Sequence, residues 1–339
     1  MRVATLFALM LLLSGVSHGE SRVLKFVKQI GVATTNQNEW MSFVAFNPDG
    51  TMVVSDGPGP DGSHGLSFWS FPTGGFIKSL ATDPSSITRY WPVISRDWRY
   101  YVRNDSIVEL KTGKQVIALP KGASGEFSAD SRYFAESLSG KHNDNDETRI
   151  RVVAVPSGKQ VSTFDSHTPF SMAISPDDRI LAAGHWDIVK LWDVRTGKRL
   201  AVLRGFGRYV DSISFSRDGK LLATGTDFGG LQIWNVRRRK KLQSLSIAGL
   251  DVSVPAFSPD GKHVAVGTYG TGTVWLVDVA SGKIVGHAKV SDAGCGSASF
   301  SPDGRYLITP STGGLIKWPY DYGGTIRVFK VGVQQTPTR

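Results

Sequence analysis

The side chains able to do chemistry are few and badly spaced for it. Seven histidines are spread over 339 residues with no His-Glu-x-x-His or His-x-His pair, so the usual spacing of a zinc-bound catalytic centre is missing. No Gly-x-Ser-x-Gly elbow offers a serine nucleophile. Cys295 is the single cysteine, which rules out an intramolecular disulfide. Its neighbours Asp292, Gly294 and Gly296 supply nothing to activate a thiolate, so a small packed side chain is expected there. Gly57-Pro58-Gly59-Pro60-Asp61-Gly62 spells a dinucleotide fingerprint by letter, but its prolines stiffen the loop and no helix follows to receive a pyrophosphate. The stretch from His142 to Glu147 gathers Asp144, Asp146 and Glu147, carboxylates suited to a hard cation. It lacks the glycine and ligand spacing of a calcium loop and reads as a solvated acidic loop. Asn104-Asp105-Ser106 is a glycosylation sequon, relevant in a eukaryotic source. No cofactor or metal is expected, and no catalytic residue is assigned.

Two other groups of residues suit binding. Trp40, Tyr90, Trp91, Trp186, Tyr209, Tyr269, Trp318, Tyr320 and Tyr322 fall in or beside irregular stretches, where aromatic rings bring large contact area at low entropic cost. Each of these rings also has the alternative of packing over its own loop. Arg237, Arg238, Arg239, Lys240 and Lys241 are five consecutive cations that suit an acidic protein, lipid head groups or another polyanion; a solvated turn is the alternative. No aromatic interleaves them as stacked bases would require, so nucleic acid is not expected.

The elements that carry these residues repeat. In Ser214–Val236, apolar and polar residues alternate up to Ser216-Arg217-Asp218-Gly219, a tight turn. A second apolar run, Leu221-Leu222-Ala223, leads to another turn at Asp227–Gly230, and Leu231, Ile233 and Trp234 mark a third strand. Relatives of the Ser216 turn begin at Asn47, Ser95, Ser128, Ser175, Ser258 and Ser301, and their aspartates recur about every 42 residues. Seven third-strand segments accompany the seven turns. In four units a Gly-Lys turn follows, at Gly113, Gly158, Gly197 and Gly282, leading to a fourth strand. A period of 40–45 residues with four strands per unit is the signature of propeller blades. Phe46, Ile213, Phe215, Phe257 and Phe300 are expected to be buried between blades.

Val189-Lys190-Leu191-Trp192-Asp193 and Leu231-Gln232-Ile233-Trp234-Asn235, each behind its Ser-x-Asp turn, resemble the WD-repeat family, and the resemblance extends over residues 22–331. It implies an all-β, seven-bladed propeller of four-stranded antiparallel blades. It also implies that the Ser-x-Asp and Gly-Lys turns share one face, leaving the long connections on the other. Phe206 stands where that family often has histidine, so its His–Ser–Asp–Trp network is expected to be incomplete, with Asp227–Trp234 and Asp187–Trp192 keeping part of it. Ile326–Val331 is a third strand with no fourth behind it. Val23-Leu24-Lys25-Phe26 alternates like a fourth strand and is expected to close the last blade from the N-terminus. By the same resemblance the function is binding, as a monomeric platform for a protein partner. An enzyme or ligand site assembled at the axis from one residue per blade stays open as an alternative, as does anionic-surface binding through the basic turn.

Composition fits this picture. The chain is 40% apolar and 20% charged, an ordinary globular balance, with 38 glycines at turns. Arg2, the short apolar run Val3–Leu13 and small residues at Ser17 and Gly19 read as a secretory signal over residues 1–19, with the propeller over residues 20–339. The run is too short to span a bilayer, and no other membrane segment is expected. The expected location is extracytoplasmic, secreted or periplasmic. A net charge of +10 favours acidic partners or surfaces.

Overall fold

The computed structural model describes residues 24–31, 41, 43–58, 60–61, 64–81, 94–103, 105–121, 123–138, 149–166, 169–247, 252–291, 294–312 and 325–332. The described elements are all strands, arranged as seven antiparallel blades. Blade 1 runs Val44–Phe46, Met52–Pro58, His64–Ser70 and Phe76–Ala81. Blade 2 has Tyr100–Val102, Ser106–Glu109 and Gln115–Ala118, with its innermost strand reduced to one bridge between Ile94 and Tyr101. Blade 3 comprises Ser124–Phe127, Tyr133–Leu138, Arg149–Ala154 and Gln160–Asp165. Blade 4 comprises Ser171–Ile174, Ile180–Gly184, Ile188–Asp193 and Arg199–Arg204. Blade 5 follows with Val210–Phe215, Leu221–Thr226, Gly230–Asn235 and Lys240–Ser246, and blade 6 with Ala256–Phe257, His263–Thr268, Thr273–Asp278 and Ile284–Lys289.

Blade 7 takes its outer strand from the other end of the chain. Gly294–Cys295 and Ser299–Phe300 pair with Tyr306–Thr312, which pairs with Thr325–Val331, which pairs in turn with Leu24–Ile30. The expected closure is therefore present, with Leu24 opposite Val331 and Ile30 opposite Ile326.

The core is divided among the interfaces between blades. Among the described residues there are seven apolar clusters, and each joins two neighbouring blades. One unites Tyr101 and Val108 with Val54 and Leu66 across blades 1 and 2. Another unites Leu191 and Leu203 with Ile213 and Leu222 across blades 4 and 5. The cluster that closes the ring holds Ile30, Ile308 and Val328 of blade 7 against Val44, Val53 and Trp69 of blade 1. Burial on both faces explains why the second and third strands read as nearly continuous apolar runs rather than alternating ones. Phe46, Ile213 and Phe300 are buried as expected. Phe215 and Phe257 are only half-buried, a correction to the sequence reading: both pack at the edge of an interface, and Phe215 also borders the axis.

Hydroxyls on the innermost strands tie blades together near the axis. Val44 N–H donates to Ser297 Oγ at 3.0 Å, joining blade 1 to blade 7. Ser171 Oγ donates to the Val210 carbonyl at 2.8 Å, joining blade 4 to blade 5, and Ser212 Oγ reaches the carbonyl of Ser253 at 3.2 Å.

The repeating turn works by the chemistry of its residues. In blade 5, Ser216 Oγ donates to Asp218 Oδ1 at 2.7 Å and accepts from Leu221 N–H at 3.0 Å, while Asp218 Oδ1 also accepts from Lys220 N–H at 3.1 Å. The same bonds recur at Ser128–Asp130, Ser175–Asp177, Ser258–Asp260 and Ser301–Asp303. In blade 1, Asn47 Oδ1 replaces the serine hydroxyl and accepts from Met52 N–H at 2.9 Å. These bonds to the charged form hold the carboxyls of Asp218, Asp260 and Asp303 below their ordinary range, against the opposing effect of partial burial.

Candidate functional site

Antiparallel order places the Ser-x-Asp turns and the third-to-fourth strand turns at one end of every blade. The second-to-third strand turns and the connections between blades lie at the opposite end. Three regions can bind: the connection face, the turn face and the axis.

On the connection face, blades 4 and 5 bring four rings together. Trp186 lies between the second and third strands of blade 4, and its ring centroid is 4.0 Å from that of Tyr209 in the blade 4–blade 5 connection. Tyr209 is 4.7 Å from Phe170, in the connection that enters blade 4. Phe228, in the corresponding turn of blade 5, carries the guanidinium of Arg208 4.5 Å from its ring centroid. Trp186 is 57% exposed and Phe228 61%. Phe228 also has φ of 60°, a left-handed conformation that is unfavourable for a bulky side chain, so it is held in view of solvent against its own backbone preference.

Of the aromatic residues singled out from sequence, Trp186 and Tyr209 share this patch. Tyr269 is half-buried and its backbone bridges to Gly294 at the blade 6–blade 7 junction, apart from them. Trp40, Tyr90, Trp91, Trp318, Tyr320 and Tyr322 lie outside the described residues, as do Asn104 and the acidic stretch 139–148. Sequence reasoning missed Phe170, Arg208 and Phe228. The signal was present in Asp227-Phe228-Gly229-Gly230, where a bulky aromatic interrupts a turn otherwise made of small and polar residues.

On the turn face, Arg237, Arg238, Arg239 and Lys240 are exposed at the third-to-fourth strand turn of blade 5. Lys241, the fifth cation of the run, is half-buried. Its Nζ donates to the Gly205 carbonyl at 3.2 Å and lies 5.6 Å from the Trp234 ring centroid, so it belongs to the outer edge of the blade 4–blade 5 interface.

The WD-type network is incomplete, in a different way from the one expected. Trp234 Nε1 is buried with no hydrogen-bond partner among the described residues, so the expected Asp227–Trp234 bond is not formed. Asp187 Oδ1 instead accepts from Gly207 N–H in the following connection. Phe206, in the place of histidine, packs its ring 5.3 Å from Trp234, which replaces a polar link with an apolar one. In blades 1 and 6 the tryptophan donates to a second-strand hydroxyl: Trp69 to Ser55 at 3.0 Å, Trp275 to Thr268 at 3.1 Å.

The axis holds a cavity of about 450 Å³ walled by the innermost strands of all seven blades. Glu126 lines it from blade 3, and burial pushes its carboxyl up to about 8, so at neutral pH it is mostly protonated. Ser214 lines it from blade 5, with its hydroxyl oxygen buried and unpartnered among the described residues. Arg96 lines it from blade 2. These residues come from separate blades, so no local motif could have grouped them. Cys295 is fully buried between blades 6 and 7, and burial pushes its thiol up to about 12, which makes it an inert packing residue. Among the described residues no cluster of His, Cys, Asp and Glu could hold a metal ion, and no helix is long and apolar enough to cross a membrane.

Among known families, the WD domain, G-beta repeat, matches residues 158–193 and 197–235, which run from the turn before the fourth strand of blade 3 to the third strand of blade 5. No curated protein matches the chain.

Proposed function

Because the chain is a WD-repeat β-propeller, a fold that commonly serves as a protein-interaction scaffold, we propose that it is a non-catalytic platform that binds a protein partner after export from the cytoplasm. The observation that carries this reading is the patch of Phe170, Trp186, Tyr209 and Phe228, with Arg208 among the rings. Tryptophan, tyrosine and arginine are the residues that most often dominate binding energy at interfaces. Here two large rings are exposed, and one of them sits on a strained turn. The partner segment that fits carries apolar side chains beside an acidic group, which complements Arg208 and a chain of net charge +10. Export rests on the signal-like residues 1–19.

Crosslinking of the full-length protein in its native cell tests both parts. A Trp186→Ser, Phe228→Gly variant is expected to lose a crosslinked species that the parent forms, at unchanged melting temperature, since glycine relaxes the positive φ at 228. That species should be recovered outside the cytoplasm. Identical crosslinked species from both proteins would remove this face from consideration.

A further inference from the structure

The outer wall of the ring is a further surface, and its strands share one irregularity. In every blade the outer strand carries a bulge, one extra residue with no partner on the third strand. That residue is always aliphatic. In blades 2, 3, 4 and 6 it is Val116, Val161, Leu200 or Val285, each packed against the apolar cluster beside it. In the adjacent blades 7 and 1 it is Val27 and Ile77, which are 47% and 46% exposed. The flanking residues also set these two blades apart. They read Phe26-Val27-Lys28 and Phe76-Ile77-Lys78, and no other blade has phenylalanine before its bulge residue or lysine after it. Leu242, the exposed bulge residue of blade 5, lies between Lys241 and Gln243 with no ring next to it in the strand.

The two triplets belong to one stretch of wall. A Cβ built on Gly74, two residues before Phe76, would lie 3.1 Å from Ile30 Cγ1 and 3.4 Å from Lys28 Nζ. The end of Leu24–Ile30 therefore meets the turn that leads into Phe76. Phe26 is 49% exposed and Phe76 37%, so two rings and two aliphatic side chains face solvent here. A bulge permits this, because successive side chains escape the alternation of a regular strand. The charge around them has one sign. The outer two strands of blades 7 and 1 hold Lys25, Lys28, Lys78, Arg327 and Lys330, and no Asp or Glu. Lys25 stands directly opposite Lys330, both exposed, a like-charge pairing that costs a sheet stability. Among the described residues neither has an ion pair. Arg327 holds its guanidinium 5.6 Å from the Phe26 ring centroid.

Lysines on an outer strand can serve only to guard against strand addition, but a guard does not call for exposed phenylalanine and valine beside them. The bulge and the lysines also blunt the free edge of Leu24–Ile30, which argues against a partner strand pairing there. A lipid surface accounts for both features. Rings and aliphatic side chains enter the headgroup boundary, and lysine stems let their ammonium groups reach the phosphates. We propose that the outer wall of blades 7 and 1 docks on a bilayer carrying anionic phospholipid. Phe26, Val27, Phe76 and Ile77 insert, and Lys25, Lys28, Lys78 and Lys330 pair with the headgroups. This wall lies across the ring from the aromatic patch of blades 4 and 5, so docking leaves that patch free and does not depend on it.

The test is flotation of the full chain with vesicles of phosphatidylcholine, with and without phosphatidylglycerol. Binding is expected on the anionic vesicles, falling as salt is raised. The apolar run Val3–Leu13 is uncharged and present in every variant, so it explains neither lipid-charge dependence nor a difference between variants. A Phe26→Ser, Val27→Ser variant should lose most of the binding. Should it melt lower than the parent, Lys25→Gln, Lys330→Gln keeps the test, since it leaves every apolar contact in place and relieves a repulsion. It is expected to bind about tenfold more weakly or worse. Arg237→Gln, Arg238→Gln, Arg239→Gln should bind like the parent. An environment-sensitive dye on Val27→Cys should shift to the blue on anionic vesicles and the same dye on Leu242→Cys should not, with Cys295 too buried to compete for label. Equal binding to neutral and anionic vesicles, unchanged binding by the lysine variant, or loss in the basic-turn variant instead would overturn the proposal.

Discussion

Glu126 shows how one side chain can make the stability of the ring depend on pH. Its carboxyl is raised from 4.5 to about 8 by burial in the axial cavity. A raised carboxyl pKa means that the folded state keeps a proton which the unfolded chain releases. Stability from this residue is therefore fullest below about 4.5 and declines as pH rises to about 8. Asp178, raised to about 6 by burial and by the neighbouring Asp130, contributes in the same sense but has finished titrating by neutral pH. Between pH 6.5 and 8.5 the parent should lose roughly 1–2 kcal/mol of stability through Glu126, less than the full shift because cavity water solvates part of the charge. Glu126→Gln is neutral in both states and should flatten that decline, which urea unfolding at a series of pH values would read. A parallel decline in both proteins would show that the carboxylate is solvated through the cavity.

At the scale of elements, the close stacking of blades depends on small residues where one blade's second strand meets the next blade's first. Gly184, Gly225 and Gly267 end equivalent runs in blades 4, 5 and 6. A Cβ on Gly267 would stand 2.5 Å from the carbonyl oxygens of both Cys295 and Gly296, which are backbone atoms that cannot swing aside. Gly267→Ala should therefore cost roughly 1–3 kcal/mol by overpacking. Gly113→Ala, at a turn with φ of 70° and open space around it, should cost only about 1 kcal/mol. Denaturant midpoints of the two variants would separate steric from conformational cost; equal losses would mean the blades can part slightly. The repeat was legible because each turn carries its own signal, Ser-x-Asp followed by an apolar run, and the seven copies reinforce one another. Blade 2 was still recognised, from Ser95 and Asp97, although its inner strand is only a bridge at Ile94 and Trp98 takes the left-handed place of glycine. The aromatic patch was half legible: Trp186 and Tyr209 stand out in loops, whereas Phe170 looks like the start of a strand and Phe228 is easily passed over inside a short turn of an acidic residue and glycines. The axial residues were not legible at all. Arg96, Glu126 and Ser214 come from three blades, and nothing in a linear spacing says that they line one cavity.

For the whole molecule, closure of the ring turns local strand pairing into global stability. The strand Leu24–Ile30 does more than cover the edge of Thr325–Val331. Leu24 joins the apolar cluster between blades 6 and 7, while Ile30 joins the one between blades 7 and 1. One terminal strand thus contributes to both interfaces of the last blade, and losing it opens the edge of blade 7 and two of the seven clusters together. Removing residues 24–30 should lower the melting temperature sharply, broaden the transition and cause aggregation through the exposed edge. The single change Ile30→Ala, which leaves the edge paired, should cost roughly 2–4 kcal/mol, a large share of a total stability of about 5–15 kcal/mol. A synthetic peptide of residues 22–31 added to the truncated chain should recover solubility, because its backbone can re-form the same register, whereas the same peptide carrying Leu24→Asp and Ile30→Asp should not. Scattering and calorimetry on these mixtures would decide the matter: a truncated chain that stays soluble and melts like the parent would mean that the ring is held by its other interfaces alone.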